Sequence, residues 1–124
     1  MTNEIWKPLT EYKFYDGRVS DFSHLIEISN GGNIRYIDTK KPYRIWKKQS
    51  SKTTENLYLC FRPTDINGVP SNYPRVHRAV ASMFVPGYEP GLEIDHIDDD
   101  YLNNKASNLR WVTRSENMKG RCKS

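Results

Sequence analysis

The sequence predicts an α+β fold: a small N-terminal β-hairpin module in residues 1–50, then a second unit in residues 51–124 that ends in strand, loop, strand and helix. Three observations carry this. Two β-prone arms, Leu25 to Ile28 and Ile34 to Ile37, flank Asn30, Gly31 and Gly32, residues that tolerate the positive φ of a tight turn. Downstream, Val76, Val80, Met83 and Phe84 recur at the spacing of one helix face. Near the end, Thr113 and Glu116 fit a capping box, in which each side chain satisfies a free backbone N–H at a helix start.

Taken in order, the hairpin comes first, and "NLYLCF" (Asn56 to Phe61) alternates well enough to be a strand. "TDINGVPSNYP" holds Asn-Gly and two prolines and reads as a loop. The helix in "RVHRAVASMFV" places Arg75, Arg78 and Ser82 off its apolar face and is stopped by "PGYEPG". "LEIDHI" and "NLRWV" read as short strands, and "RSENMKGR" as the capped helix. "KKQSSKTT", Lys47 to Thr54, is the best linker candidate, and no internal repeat or low-complexity tract occurs.

At 124 residues the chain fits one small domain or a compact core with an appendage, which excludes a large multi-lobed enzyme. Only 36% of residues are hydrophobic and mean hydropathy is −0.81, so the core is small; a metal or a nucleic-acid partner could add stability. An aromatic content of 12% argues against a disordered chain. No apolar run approaches the roughly 20 residues that span a bilayer, and "MTNEIWKPLT" lacks the features of a secretory signal. A cytoplasmic location is expected. Cys60 and Cys122 belong to no C-x-x-C pair and read as ordinary thiols.

Net charge is +4, and its distribution says more than its sum. Arg35 to Arg62 holds eight basic residues against Asp38 and Glu55, and Lys105 to the end holds six against Glu116 alone. Between them, Glu89 to Asp100 carries six carboxylates and no Lys or Arg. Two basic flanks around an acidic pole suit a phosphate polymer gripped on both sides of a metal site, because cations hold the backbone while carboxylates hold the metal. The alternative is a solvated surface with scattered charge.

Within the acidic pole, "LEIDHIDDDYLNNKASNLRWVT" surrounds His96 with Asp and Asn. Phosphodiester hydrolysis needs a base to take a proton from water, a cation on the phosphate and leaving oxygen, and a group that fixes the base's tautomer. His96 can be the base. Asp95 can offer a hard cation an oxygen if the strand breaks into a loop there. Asn108 carries an amide oxygen able to accept from the imidazole N–H and orient the ring, and Asn117, in the first turn of the last helix, can give the metal a second oxygen. The competing reading is a loop that caps itself with hydrogen bonds. Asp98, Asp99 and Asp100 are read as solvated turn residues, and Asn103 and Asn104 as loop-shaping amides. His77 reads as structural or as a phosphate contact, Trp111 as core, and Trp6 and Trp46 as packed against the hairpin.

Through "VHRAVASMF", "EIDHID", "LNN", "NLRWVT" and "ENMKG", in that order, the sequence resembles the His-Asn-His (HNH) endonucleases, and more closely their phage homing-type branch. The resemblance is strong from Val76 to Gly120 and extends weakly to "IWKPL" and "ISNGGNIR", which look like the small N-terminal module often joined to such nucleases. It implies a ββα-metal core in residues 51–124, a DNA-binding-type module in residues 1–50, and hydrolysis leaving a 5′-phosphate and a 3′-hydroxyl. It assigns Asp95 and Asn117 to the metal, His96 to the general base and Asn108 to orientation of His96. Asn108 follows His96 by 12 positions and Asn117 follows it by 21, intervals that suit this branch. Asn117 stands where histidine is frequent elsewhere in the family, which favours oxygen-ligated Mg²⁺, or another divalent cation such as Mn²⁺.

The expected partner is double-stranded DNA, held by Arg35, Lys47, Lys48, Arg75, Arg78, Arg110, Arg114 and Lys119. Longer relatives carry a C-terminal helical DNA-reading module, which a chain ending at Ser124 is expected to lack. One site per chain, as a monomer or homodimer, favours nicking unless the protein dimerises. A phage genome is the expected source, placing the protein in the host cell cytoplasm. Two rival readings stand beside this: a DNA-binding regulator that keeps the scaffold without turnover, and a toxin or restriction-type nuclease with the same chemistry.

Overall fold

In the computed structural model, residues 4–49, 57–69 and 74–121 are described, with residues 48, 49, 57 and 118–121 given by backbone alone. The expected hairpin forms from β4 (Ile26–Ser29) and β5 (Ile34–Tyr36), with Ile26 across from Tyr36 and Ile28 across from Ile34. Gly32, at φ +90°, makes the left-handed step of the turn. An edge strand absent from the sequence reading, β1 (Trp6–Pro8), pairs with β4 and completes a three-stranded antiparallel sheet. A second hairpin, β2 (Tyr12–Lys13) with β3 (Val19–Ser20), was likewise not expected. Strands of two or three residues leave too short a pattern for alternation to reveal.

The linker candidate is partly structured. Lys47, Lys48 and Gln49 belong to β6 (Trp46–Gln49), which pairs with β7 (Leu57–Cys60) over four positions. Pairing with a partner strand overrides the polar composition of that stretch; residues 50–54 of the candidate lie outside the described residues. The expected strand in "NLYLCF" is β7, whose first expected residue, Asn56, is also outside them.

The remaining elements follow the sequence reading: α1 (Val76–Phe84), β8 (Glu93–His96), β9 (Leu109–Val112) and α2 (Arg114–Arg121), with a single 3₁₀ turn at Ala106–Asn108 before β9. Thr113 and Glu116 form the reciprocal capping box at 2.8 and 3.1 Å. The start of α1 is capped from outside the helix, since the Arg75 backbone N–H donates to the buried Tyr12 hydroxyl at 2.9 Å. Burial pushes the Tyr12 phenol up to about 12, which keeps it neutral.

Leu9, Tyr12, Phe22, Ile26, Ile28 and Ile34 pack in one cluster with Phe61, Val76, Val80, Ile94 and Leu109. The division at residue 50 therefore falls between two paired strands, and both segments contribute to one core. Ser82 on α1 accepts from the Lys13 backbone at 3.0 Å and strengthens that join. Because Phe22 is fully buried, Phe22→Ala should cost about 3–5 kcal/mol through lost transfer energy and the cavity left behind. Urea denaturation followed by far-UV and near-UV circular dichroism should show both signals move together to a lower midpoint.

Candidate active site

A cleft of about 460 Å³ opens between α1, β8 and α2, lined by Glu93, Asp95, His96, Asp99 and Asn117 together with Arg75, Arg78 and Arg114. The antiparallel ladder places Asp95 across from Arg110 and His96 across from Leu109. His96 is the last residue of β8 and only 2% exposed. Alternation along the strand sends Asp95 and His96 to opposite faces, but the strand ends at His96, and both side chains reach the cleft.

The His96 imidazole sits edge-on to His77 at 4.9 Å and to Tyr101 at 5.4 Å between ring centres. Its Nε2 lies 2.9 Å from Asn104 Oδ1, so the ring carries its proton on Nε2 and donates it to the amide oxygen. No hydrogen bond to Nδ1 forms among the described residues. Burial lowers the His96 pKa below the ordinary 6.5, against the opposing pull of Asn104, Asp95, Asp98 and Asp100. Burial and the neighbouring His96, Arg75 and Arg78 hold His77 well below the same value.

The expectation that Asn108 orients the imidazole is not met by the hydrogen bonds. Asn108 Oδ1 accepts from the Asp98 backbone at 3.0 Å, while its Nδ2 donates to Asp98 Oδ1 and to the Asn103 carbonyl, both at 2.9 Å. Asn108 sits just beyond the His96–Leu109 pair, where its carbonyl receives the Ile97 N–H at 2.8 Å; its side chain is therefore directed into the loop it closes. Asp98 completes that knot by accepting from Asn103 Nδ2 at 2.7 Å and the Asp100 backbone at 2.9 Å. These bonds, Asn103 first, lower its pKa. Asp98, Asp99 and Asp100 are exposed, and Asp99 takes a left-handed φ of 61°.

Asn117 is buried in the first turn of α2, and its Nδ2 donates to Glu93 Oε1 at 2.9 Å. The amide oxygen makes no bond among the described residues. Asp95 accepts from Arg110 Nε at 2.7 Å through Oδ2. Glu93 and Asn104 were not singled out from the sequence as site residues. Glu93 alternates with Asp95 along β8 and Asn104 lies in the loop after His96, but chemistry alone does not separate Asn104 from Asn103 or Asn108.

The basic residues divide by role. Arg75 and Arg114 line the cleft, and Lys47 is exposed on β6. Arg35 is held instead by Glu27, at 2.5 Å, and lies over the Trp6 ring at 3.8 Å. Arg78 donates to the Lys13 and Leu92 carbonyls and lies over Trp111 at 5.3 Å, so although it borders the cleft it is committed to joining β2, α1 and the approach to β8. Arg110 is taken up by Asp95. The Lys48 and Lys119 side chains lie outside the described residues.

Residues 75–119 match the family model described as HNH endonuclease. The chain is 34% identical over 118 residues to an HNH endonuclease of Acanthamoeba polyphaga mimivirus, covering 94% of this chain and 25% of that protein. It is 31% identical over 118 residues to the DNA endonuclease I-HmuI of Bacillus phage SP01, covering 91% of this chain and 55% of that protein. Residues 75–119 of this chain thus match the HNH endonuclease family. A solved structure reporting DNA binding and cleavage by the HNH homing endonuclease I-HmuI superposes with a TM-score of 0.70 at 28% identity, over 94% of this chain and 57% of that one. The chain thus spans about a quarter to just over half the length of these relatives.

HNH nucleases use a divalent metal ion. Among the described residues no three His, Cys, Asp or Glu gather to hold one. The oxygens that the cleft presents are the carboxylates of Glu93, Asp95 and Asp99 and the Asn117 amide oxygen, whose orientation is set by the Nδ2–Glu93 bond. Hard oxygen donors of this kind fit a cation that completes its shell with water and phosphate. Separately, Asn108→Ala should leave the Asp98 backbone N–H and the Asn103 carbonyl without their side-chain partner. A loss of about 1–3 kcal/mol in urea-denaturation stability is expected.

Proposed function

We propose that this chain is a metal-dependent DNA endonuclease of homing type in which His96 is the general base. The observation that supports it most is the pairing, in one cleft, of a buried imidazole whose Nδ1 has no hydrogen-bond partner among the described residues with the oxygens of Asp95 and Asn117. Asp95 and Asn117 would hold Mg²⁺ or Mn²⁺. When bound, that ion supplies positive charge to the phosphate and to the departing oxygen. The chain's own residues do the rest. His96 Nδ1 takes a proton from water, the oxygen of that water bonds to phosphorus, and the bond from phosphorus to the 3′ oxygen breaks. The products are a 3′-hydroxyl, once that oxygen gains a proton, and a 5′-phosphate. Arg75 and Arg114 border the cleft, where their charge favours the approach of a phosphate backbone. Asn108 acts indirectly, by closing the loop that follows His96. One cleft per chain suits nicking, and the viral and phage relatives suit a phage-encoded protein working in the host cytoplasm.

Purified protein with supercoiled plasmid and Mg²⁺ should give open-circular product, and EDTA should stop it. His96→Ala should lower the rate by about 10²–10⁴-fold, measured at a temperature where circular dichroism shows the variant folded. Plasmid that is bound but left uncut by the parent protein in Mg²⁺ and Mn²⁺ would point to a binding module instead.

A pH profile follows from the same site. The base must be neutral, and burial lowers the pH at which the ring gains its second proton. Activity should therefore persist as pH falls through 6.5, the ordinary imidazole value, and drop only below it. An acid limb centred above that value in single-turnover cleavage would contradict the assignment.

A further inference from the structure

We propose that the turn of the β4–β5 hairpin is a positioning element for the candidate base: Gly32 seats Asn104, and Asn104 holds the His96 imidazole in its Nε2–H tautomer. The catalytic consequence rests on the nuclease reading above; the tautomer does not.

Gly32 adopts φ +90°, and a Cβ built on it would lie 3.1 Å from Asn104 Cβ and 3.1 Å from the Asn104 carbonyl oxygen. Real Cβ atoms seldom approach that closely, and an L side chain is strained at that φ. A side chain at position 32 would therefore require Asn104 to give way by a few tenths of an ångström. Two residues past Asn104, the Ala106 N–H donates to the Asn30 carbonyl at 2.8 Å. The same turn thus holds the loop at two points.

What the turn holds matters because of how little else holds Asn104. Its side chain is 4% exposed, and its Oδ1 meets His96 Nε2. Its Nδ2 is buried with no hydrogen-bond partner. No second bond fixes the amide, so its place is set by its own Cβ and backbone, the atoms Gly32 touches. His96 Nε2 in turn has no other partner among the described residues. If the amide oxygen moves away, only the imidazole's own weak preference for Nε2–H remains, a population with its proton on Nδ1 appears, and that tautomer cannot accept a proton there. The chain of contacts runs from a turn in the N-terminal segment to the ring of the base.

Imidazole nitrogen signals of the full-length, metal-free protein, recorded by long-range ¹H–¹⁵N NMR where His96 is neutral, read this directly. The parent should show His96 as Nε2–H. Asn104→Leu and Gly32→Ala should give a mixture of tautomers, whereas Asn104→Asp, which keeps an acceptor, should retain Nε2–H. Gly31→Ala is the control, since its Cβ would face the Glu4 carboxylate instead of Asn104. Should Gly32→Ala not fold, Ala106→Pro removes the donor to Asn30 at the first position of the 3₁₀ turn, where proline is tolerated; Lys105 before it, at φ −65° and ψ 138°, already suits a following proline. In plasmid cleavage, Asn104→Leu should lower kcat by about 10–100-fold with KM unchanged. Adding Gly32→Ala to it should cause no further loss, because the two act through one contact. Retention of pure Nε2–H in Asn104→Leu, or in both Gly32→Ala and Ala106→Pro, overturns the inference, as do losses in kcat that multiply in the double variant. Tautomer shifts as described in a protein that cuts no DNA would leave the positioning role standing and remove the nuclease reading.

Discussion

Between β8 and β9 the backbone hydrogen bonds put Asp95 across from Arg110 and His96 across from Leu109, and the position of each group in the cleft follows from that register. A slip of one residue would turn His96 to solvent and Asp95 into the protein. Two devices oppose such a slip. The knot formed by Asp98, Asn103 and Asn108 fixes the connection, and Ile94 and Leu109 anchor the apolar faces in the core. The capping box then starts α2 directly after β9, which brings Asn117 back over Glu93.

Charge is used economically in a small core. Glu27 is 6% exposed, and its burial works to raise its pKa, but Lys40 and Arg35 outweigh that and lower it. Several cations that would serve a surface for phosphate are thereby engaged within the protein. A guanidinium can accept this duty where an ammonium is less suited, since it offers several donors in one plane and packs on aromatic rings. Arg35 over Trp6 and Arg78 over Trp111 both do so. The cations that border the cleft are consequently fewer than the total charge implies.

Much of the C-terminal half was legible because its signals are local. Helical spacing found α1 and the threonine–glutamate pair found α2; in the N-terminal half, Asn30, Gly31 and Gly32, residue types that tolerate positive φ, found the hairpin. The strands β1, β2, β3 and β6 were not legible, because each is a few residues long and forms only against a partner; for β1 that partner is some twenty residues away in sequence. At the site, His96, Asp95 and Asn117 were named from sequence and line the same cleft. The identity of the amide facing the imidazole was not recoverable. Asn103, Asn104 and Asn108 offer the same functional group, and only the folded loop decides that Asn104 faces the ring while the other two tie Asp98. Arg35, Arg78 and Arg110 present the same difficulty: a basic residue in a sequence carries no mark of whether a carboxylate or a carbonyl of its own chain already engages it.

The Tyr12 hydroxyl at the start of α1 bears on how such a chain could be recombined with others. A crossover placed between the first and second halves would deliver a helix whose leading amide has no acceptor, and a core without Leu9 and Phe22. An exchangeable cassette built around this cleft would have to carry the N-terminal strands with it, or supply a replacement phenol at the same place. Inheritance of the two halves as one unit is therefore a demand of helix chemistry as much as of function.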